Sequence, residues 1–491
     1  MLKFYLKGHN FEYESRNALR VFDLNLHYAV EYCDKLSDTD KEGLSLMSIL
    51  KEEDDKISGE AYLYENGALL HHAVFRREEI LLESGNEKKL KKTLVVKAIH
   101  NVLKKYYNVE PDYGILTGVR VIKIMITAKN NLKNDDEINS ILKSTYEVKD
   151  DKIKLLWDIL KIEGRYISSQ NISNYNLYIG IPFCPSKCSY CSFTSFVNTK
   201  EDKINIYLKT LIYEIEKTIE LAMKKDMNLN TVYIGGGTPS VLNEDQIDSI
   251  FSAIGRYYDL TKIKEITFEA GRPDTLSREK LECLKRNYVN RISINPQTMN
   301  EKTLNLVGRS HTVEDIIQKY RLSREAGFNS INMDVILGLP GEDETDVKNT
   351  ITEIVKLRPE NITVHSLAYK KKSELTRETR EMSKDYDLIS KMHEVVNEEC
   401  QSSGYAPYYM YRQKNIKGNS ENIGFTLSEK ECIYNMVIIE ELETILACGL
   451  GASSKILQNN GRHEPIRNFK SLEEYNGRIN EIINKKMELL S

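Results

Sequence analysis

The sequence lacks several features that define common protein classes. Only eight of its 491 residues are cysteine, too few for a disulfide scaffold. No apolar run approaches the roughly 18 residues that a membrane-spanning helix needs. The opening segment, MLKFYLKGHN, lacks the apolar core of a secretory signal. We therefore expect a cytoplasmic protein that does not associate with membranes.

Strong charge of one sign is also missing. The net charge is −4 and the isoelectric point is near 6.2, which argues against general nucleic-acid binding. The chain has no internal repeats and no low-complexity tracts. Hydrophobic residues make up 41% of it, enough for an ordinary core. A chain of 491 residues should fold into more than one domain.

Residues 1–170 are predicted to form a mixed α and β domain. Two β-prone runs flank Asn66-Gly67 and predict a hairpin. Residues 88–107 carry apolar side chains at helical spacing with lysines between them, which predicts a basic amphipathic helix. The lysines are more typical of a solvated face than of a binding surface. Residues 129–139 are predicted to be an exposed loop.

Six short apolar runs, separated by longer amphipathic stretches, follow in residues 171–367. They are 176–183, 231–237, 265–270, 291–295, 330–338 and 361–367. This alternation predicts an α/β fold with a parallel sheet and right-handed crossovers. Six β/α units fit a partial TIM-like barrel better than a closed barrel of eight. Functional side chains should then lie at the carboxyl ends of the strands.

Residues 368–491 lose the alternation. We expect them to form a mixed C-terminal domain that covers the substrate. Residues 405–415 are aromatic-rich and predicted to be extended, and residues 442–455 end an apolar run in a small-residue turn. Residues 473–486 are predicted to be helical.

Three cysteines lie close together in Cys184-Pro-Ser-Lys-Cys188-Ser-Tyr-Cys191, directly after the first predicted strand of the barrel. Thiolates are the usual ligands of iron–sulfur clusters. Zinc sites usually need four ligands in separated pairs, and no second pair is present. Three thiolates can bind three irons of a [4Fe–4S] cube. The fourth iron is then open to the amino and carboxylate groups of S-adenosylmethionine.

Further motifs fall at the ends of the later strands. Residues 235–240, GGGTPS, end the second strand, and glycines there allow close approach of a ligand to backbone N–H groups. Glu269, Gln297 and Asp334 each fall near the end of a later strand. Each could be a structural polar residue by itself, but together they can form a polar ring around one rim.

These motifs resemble the radical S-adenosylmethionine superfamily. More narrowly, they resemble the oxygen-independent coproporphyrinogen III oxidase (coproporphyrinogen dehydrogenase) group, and most closely its HemZ-type branch. The resemblance covers roughly residues 175–455. The segments that carry it are YIGIPF before the cysteines, GGGTPS, ITFEAGRPD, RISINPQTMNE, GRSHT, MDVILGLPGE and ITVHSLA. The extra N-terminal region and the segments 407–415 and 449–455 suit the HemZ-type branch.

The resemblance implies roles for matching residues. The cluster ligands would be Cys184, Cys188 and Cys191. The S-adenosylmethionine site would comprise Tyr178, Tyr190, Gly236, Gly237, Thr238, Glu269, Gln297, Arg309, Asp334 and Ala368. A guanidinium such as Arg309 suits the methionine carboxylate. No catalytic acid or base is identified, and Arg272 and Arg412 are candidates for gripping substrate carboxylates only because arginine pairs well with them.

The implied reaction belongs to heme and porphyrin biosynthesis. The cluster reduces S-adenosylmethionine to give a 5′-deoxyadenosyl radical, which removes a hydrogen from a propionate side chain. Loss of carbon dioxide and one electron then leaves a vinyl group. Two such steps convert coproporphyrinogen III to protoporphyrinogen IX. The expected partners are this tetrapyrrole and an external electron donor and acceptor, and the protein is expected to be a monomer.

Three positions depart from the pattern of the group. Phe193 replaces a fourth cysteine, Gly180 replaces a histidine, and Lys455 replaces an apolar residue. Heme chaperones of a related branch also have Phe at the first position, so a heme-binding chaperone without oxidase activity is the second hypothesis. Its axial ligand would be His365 or His311. A radical enzyme acting on another substrate, such as RNA, is the third hypothesis, and the overall acidity argues against RNA.

Overall fold

A computed structural model describes residues 2–22, 27–32, 43–53, 56–81, 86–118, 120–131, 133–168, 171–193, 195–368, 383–413, 416–458 and 461–490. The chain divides into two compact units. The first combines residues 1–158 with the segments 376–391 and 411–421. The second comprises residues 159–375, 392–410 and 422–491. The predicted domains, 1–170, 171–367 and 368–491, stay a prediction.

The first unit contains a five-stranded sheet with the order β2-β1-β3-β4-β5. Its strands are β1 (Leu2–Lys7), β2 (Tyr28–Tyr32), β3 (Leu44–Glu53), β4 (Lys56–Glu65) and β5 (Ala68–Arg76). Strand β1 runs parallel to β2 and β3, whereas β3, β4 and β5 are antiparallel. The predicted hairpin is confirmed, because Asn66 and Gly67 both have positive φ, 49° and 82°, in the turn between β4 and β5.

Two helices, α1 (Glu12–Phe22) and α2 (Glu87–Tyr107), share the apolar core of this sheet. The helices before residue 170 are α1 (Glu12–Phe22), α2 (Glu87–Tyr107), α3 (Ile122–Asn130), α4 (Asp135–Ser140) and α5 (Asp150–Ser168). The basic amphipathic helix is confirmed as α2. Lys91 contacts Glu52 and Glu87, and Lys97 is buried. These ion pairs and this burial favour a structural role for the lysines of α2.

The predicted loop at 129–139 is wrong at both ends. Helix α3 continues to Asn130, and helix α4 begins at Asp135. A capping box explains the second helix. The Asn134 side chain accepts the backbone N–H of Glu137, and the Glu137 carboxylate accepts that of Asn134, both at 2.9 Å.

The second unit is built on one large sheet with the order β14-β15-β13-β12-β11-β10-β9-β6-β16-β17-β18. All six predicted strands are present and parallel, and they are β6 (Asn174–Ile181), β9 (Asn228–Gly236), β10 (Glu265–Glu269), β11 (Arg291–Ser293), β12 (Ile331–Leu337) and β13 (Asn361–Ser366). The flanking strands are β14 (Ala406–Tyr411), β15 (Asn422–Thr426), β16 (Thr444–Cys448), β17 (Ser453–Leu457) and β18 (His463–Arg467). A small separate pair is β7 (Phe183–Cys184) with β8 (Phe196–Val197). The α/β partial-barrel prediction is confirmed.

Helices connect these strands. They are α6 (Glu201–Met223), α7 (Glu244–Gly255), α8 (Arg278–Arg286), α9 (Glu301–Leu306), α10 (Val313–Glu325), α11 (Glu344–Leu357), α12 (Ser383–Ser402), α13 (Ile433–Glu440) and α14 (Leu472–Leu490). The helix predicted at 473–486 is confirmed as α14. In the part of the chain that the structure describes, no helix combines the length and apolarity needed to cross a membrane.

The parallel strands carry apolar and polar side chains in alternation. On β10, Ile266 and Phe268 are fully buried on one face, whereas Glu265, Thr267 and Glu269 point to the other. Hydrogen bonds join polar residues of neighbouring strands on that second face: Thr231 to Asn176, Tyr233 to Glu269 and Thr363 to Asn332. This second face, the inner face of the sheet, therefore carries polar side chains from several strands. Such a polar face is unusual in a core that serves only to stabilise the fold.

Candidate active site

The three clustered cysteines lie in the loop that follows β6. Cys184 ends β7, and the backbone N–H of Cys191 donates to the carbonyl of Cys188 at 3.0 Å. The backbone N–H of Thr238 donates to the carbonyl of Phe183 at 2.8 Å, which connects the loop to the end of β9. The cysteine loop is thus fixed at the carboxyl edge of the parallel sheet, as the sequence predicts.

Each cysteine sulfur has a hydrogen-bond donor beside it. The Thr238 hydroxyl lies 3.4 Å from the Cys184 sulfur, and Nη1 of Arg272 lies 3.9 Å from the Cys188 sulfur. The backbone N–H of Phe193 donates to Cys191. Burial raises the pKa of the Cys191 thiol, and this N–H opposes the rise. All three sulfurs thus have a donor of the kind that stabilises sulfurs bound to a metal cluster.

The cysteine loop supplies the three thiols that a [4Fe–4S] cluster with one open iron needs. Within the described residues, no three Cys, His, Asp or Glu side chains converge closely enough to hold one metal ion. Gly237 packs closely against the loop, since a Cβ on it would lie 3.0 Å from the Cys184 sulfur and 2.7 Å from the Phe183 carbonyl oxygen. Three clustered thiols with a donor beside each sulfur fit a [4Fe–4S] cluster.

Arg309 lies beside the cysteine loop. Its Nη2 and Nε donate to the Tyr190 hydroxyl at 2.8 and 3.3 Å, and its Nη1 donates to the carbonyls of Gly271 and Asn295. The guanidinium is only 6% exposed, so its orientation is fixed. Electrostatic interaction of Arg309 with Cys188 and Cys191 places this cation beside the cysteine loop.

Glu269 ends β10 beside the glycine run. Its carboxylate accepts the Tyr233 hydroxyl at 2.6 Å and the backbone N–H of Gly236 at 3.1 Å. A Cβ on Gly235 would lie 2.8 Å from this carboxylate, so glycine is needed there for the close approach. Burial raises the pKa of Glu269 to about 7, although the Tyr233 hydrogen bond opposes the rise.

Asp334 and Gln297 complete the polar edge. Asp334 accepts from the Asn332 side chain at 2.7 Å and lies 3.8 Å from the His365 ring. The backbone N–H of Gln297 donates to the Asp334 carbonyl at 2.9 Å, and Gln297 has a φ of 69°. Among the residues that the structure describes, the buried Gln297 Oε1 has no hydrogen-bond partner. An orphaned buried acceptor at this edge fits a ligand that supplies a donor.

Sequence reasoning missed a stack of three tyrosine rings on the polar face. The Tyr233 ring lies 4.5 Å from that of Tyr434 and 6.2 Å from that of Tyr178, centroid to centroid. The carboxylate of Glu265 accepts the backbone N–H of Tyr434 and so orients the start of α13. The alternation of β9 could have identified Tyr233, but no local signal in the sequence indicates that Tyr434 reaches β9.

Three further residues that the sequence singles out differ in their exposure and contacts: Ala368, Lys455 and Arg412. Ala368 directly follows Leu367 at the end of the barrel segment and is partly exposed. Lys455 is paired with Glu441 at 3.2 Å. Arg412 lies in the first unit, where its guanidinium donates to backbone carbonyls and stacks on the Tyr113 ring. These bonds favour a structural role for Arg412.

The fold and the cysteine loop define a protein of the radical S-adenosylmethionine class. The family model of the radical SAM superfamily matches residues 178–354. The chain is 38% identical over 399 residues to the oxygen-independent coproporphyrinogen-III oxidase-like protein HemZ of Bacillus subtilis, covering 79% of each chain. It therefore belongs to this family within the radical SAM superfamily. Its cofactors are a [4Fe–4S] cluster and S-adenosylmethionine.

Other relatives carry different names. The chain is 30% identical over 325 residues to the heme chaperone HemW of Lactococcus lactis, covering 64% of this chain and 78% of the chaperone. Among solved structures, the coproporphyrinogen III oxidase HemN of Escherichia coli matches with a TM-score of 0.51 and 22% identity, covering 66% of this chain and 72% of that one. This last match shows a shared fold.

Proposed function

We propose that the protein is a radical SAM oxidoreductase that decarboxylates two propionates of coproporphyrinogen III without oxygen and yields protoporphyrinogen IX. When bound, the cofactors supply the radical that removes a hydrogen from the propionate. The single observation that carries the proposal is the continuity between the cysteine loop and a polar sheet face with an unpartnered acceptor. The identity to an oxidase-like relative over most of the chain supports the substrate.

The protein's own residues have distinct tasks in this proposal. Cys184, Cys188 and Cys191 hold the cluster. Arg309 binds the methionine carboxylate, since a fixed guanidinium at the cysteine loop is a good carboxylate partner. Glu269 is held by Tyr233 and Gly236 and accepts from hydroxyl or ammonium groups.

Further residues of the predicted site complete the pocket in this proposal. Gly236, Gly237 and Thr238 bring backbone close to the ligand, and Gln297 and Asp334 provide acceptors. Tyr178, Tyr190 and Ala368 form walls that exclude water from the reacting atoms.

The test uses the full chain, purified without oxygen and reconstituted with iron and sulfide. Coproporphyrinogen III, S-adenosylmethionine and a low-potential reductant are supplied together with an electron acceptor. Protoporphyrinogen and 5′-deoxyadenosine should form together, with two deoxyadenosines for two vinyl groups. Deoxyadenosine formed at the same rate with and without the tetrapyrrole would refute the proposed substrate.

Paired cysteine variants test the cluster ligands. Cys188→Ser should abolish cluster binding and all radical activity. Cys283→Ser is the matched control, because this buried cysteine donates to Asp248 in the packing of α8 and a serine hydroxyl can do the same. A Cys188→Ser protein that keeps its brown colour and its activity would show that the ligand set is wrong.

A heme-binding chaperone is the second candidate, favoured by the similarity to the heme chaperone of Lactococcus lactis. His311 suits it poorly as an axial ligand, since the ring is fully buried beside Asp274, Arg272 and Arg309. His365 is partly exposed and remains the candidate. Stoichiometric heme binding that His365→Ala abolishes, without decarboxylation of coproporphyrinogen, would favour the chaperone.

A further inference from the structure

Arg272 is a buried cation that directly contacts the cysteine loop. It follows β10, on the segment that leads to α8, and only 4% of its surface is exposed. Its Nη1 donates to the Ser186 hydroxyl at 2.7 Å and lies 3.9 Å from the Cys188 sulfur. Since Ser186 lies between Cys184 and Cys188, one nitrogen contacts both the loop and one of its sulfurs.

Asp274 fixes this contact. Its two carboxylate oxygens accept from Nε and Nη2 of Arg272 at 3.0 and 2.9 Å. A bidentate carboxylate holds a planar guanidinium in one orientation, and here that orientation leaves Nη1 directed at the loop. Asp274 therefore holds two of the three guanidinium nitrogens of Arg272, and the cysteine loop takes the third.

The consequence is electrostatic. The reduced cluster carries one more negative charge than the oxidised cluster, so a fixed cation at a ligand sulfur stabilises the reduced form more. Hydrogen bonds to the sulfurs and local charge are established determinants of iron–sulfur potentials. Burial strengthens the effect, because little water is available to screen the charge.

We propose that Arg272, oriented by Asp274, is a positioning residue that raises the reduction potential of the cluster through the Cys188 sulfur. The inference rests on the proposed cluster ligands, but not on the proposed tetrapyrrole substrate. Among the donors at the three sulfurs, the charged one should have the largest effect on the potential, because the donors at the other two sulfurs are a neutral hydroxyl and a backbone N–H.

The test is a redox titration of the reconstituted full chain, followed by electron paramagnetic resonance, with no tetrapyrrole present. Arg272→Gln should lower the potential. At a fixed solution potential, the ratio of reduced to oxidised cluster should fall about tenfold, as expected when one charge-assisted hydrogen bond is lost. Arg272→Lys should shift the ratio in the same direction by less, because the charge remains but the two-point bond to Asp274 that orients it is lost.

Arg278→Gln is the matched control, since this exposed arginine pairs with Glu325 on the protein surface. It should leave the potential unchanged. An Arg272→Gln protein with normal iron and sulfide content and an unchanged potential would overturn the proposal. If Arg272→Gln does not hold the cluster, Arg272→Lys decides, since a lowered potential supports the proposal and an unchanged potential overturns it.

The outcome is separable from that of the proposed function. A lowered potential together with no oxidation of coproporphyrinogen would leave the role of Arg272 intact and reject the substrate. Normal oxidation of coproporphyrinogen together with an unchanged potential would support the substrate and reject the role of Arg272.

Discussion

At the residue scale, Glu269 makes the free energy of unfolding depend on pH with a known sign. Its folded pKa of about 7 lies above the usual 4.5, because burial disfavours the ionised carboxylate. Below pH 4.5 the folded and unfolded states are both protonated. As the pH rises from 4.5 to 7, the unfolded state ionises first, so the free energy of unfolding falls.

We therefore expect Glu269→Gln, measured without S-adenosylmethionine, to gain stability relative to the native chain between pH 5 and pH 8. The gain should be at most about 3 kcal/mol, since each pKa unit corresponds to about 1.4 kcal/mol and the carboxylate retains some solvent contact. Urea unfolding of both proteins at the two pH values measures it. An identical pH dependence in the two proteins would contradict the raised pKa.

Gly237 is a second prediction at this scale. Adding a Cβ would place it 2.7 Å from the Phe183 carbonyl oxygen, closer than real contacts allow. Gly237→Ala should therefore displace the cysteine loop at a cost of about 1–3 kcal/mol and lower the iron content per chain after reconstitution. Gly164→Ala in α5 is the control, because nothing lies within 4 Å of the added carbon. Equal iron content in the two variants would show that the loop tolerates the methyl group.

Whether a contact of the site can be predicted from the sequence depends on how far apart its two residues lie along the chain. Cys184 and Gly237 belong to local patterns at strand ends, and such patterns can be read from spacing alone. The contact of Arg272 with Cys188 joins residues 84 positions apart. Tyr434 and Tyr233 are further apart still. No periodic pattern in the sequence predicts such pairs. The sequence therefore identified Arg272 only as a basic side chain, and it did not identify Tyr434.

At the element scale, the six parallel strands are predictable because each is a short apolar run bounded by turns and followed by a helix. Helix α4 was missed because its six residues have little apolar periodicity, although the capping pair Asn134 and Glu137 was there to be read. The flanking strands β17 and β18 were also missed. Each of them pairs antiparallel with the strand that precedes it along the chain, β17 with β16 and β18 with β17.

A buried ion pair fixes the C-terminal helix α14 and yields the element-scale prediction. Lys486 donates to Glu214 of α6 at 2.9 Å and to the Ala447 carbonyl at 2.8 Å, and both charged side chains are fully buried. Glu214 also accepts the backbone N–H of Gly449 and the Tyr475 hydroxyl. The same carboxylate thus connects α14, α6 and the turn after β16.

Lys486→Met should lower the free energy of unfolding by about 3–5 kcal/mol, because Glu214 would be left buried without its cation. Denaturant unfolding measures the change. Arg478→Ala, on an exposed face of the same helix where Arg478 pairs with Glu474 and Glu481, should have almost no effect. Equal stability of the two variants would mean that the buried pair does not hold α14 in place.

At the scale of the whole molecule, the first unit is built from separate parts of the chain. Side chains of its later segments contact residues of its N-terminal part. Glu421 is fully buried and pairs with Lys152 at 2.7 Å. Arg412 donates to the Leu116 carbonyl and stacks on the Tyr113 ring. Deleting residues 1–158 would expose these side chains and leave Glu421 without its cation.

We therefore expect a chain of residues 159–491 to give less soluble protein than the full chain and faster cleavage by protease within 411–421. An unpaired buried carboxylate and newly exposed aromatic surface both disfavour the folded segment. Glu421→Gln in the shortened chain should recover part of the solubility, because it removes the unpaired charge, whereas Lys152→Met in the full chain should destabilise by about 3–5 kcal/mol. A shortened chain that resists protease as well as the full chain would show that residues 411–421 fold without the N-terminal region, as a domain boundary near 170 requires.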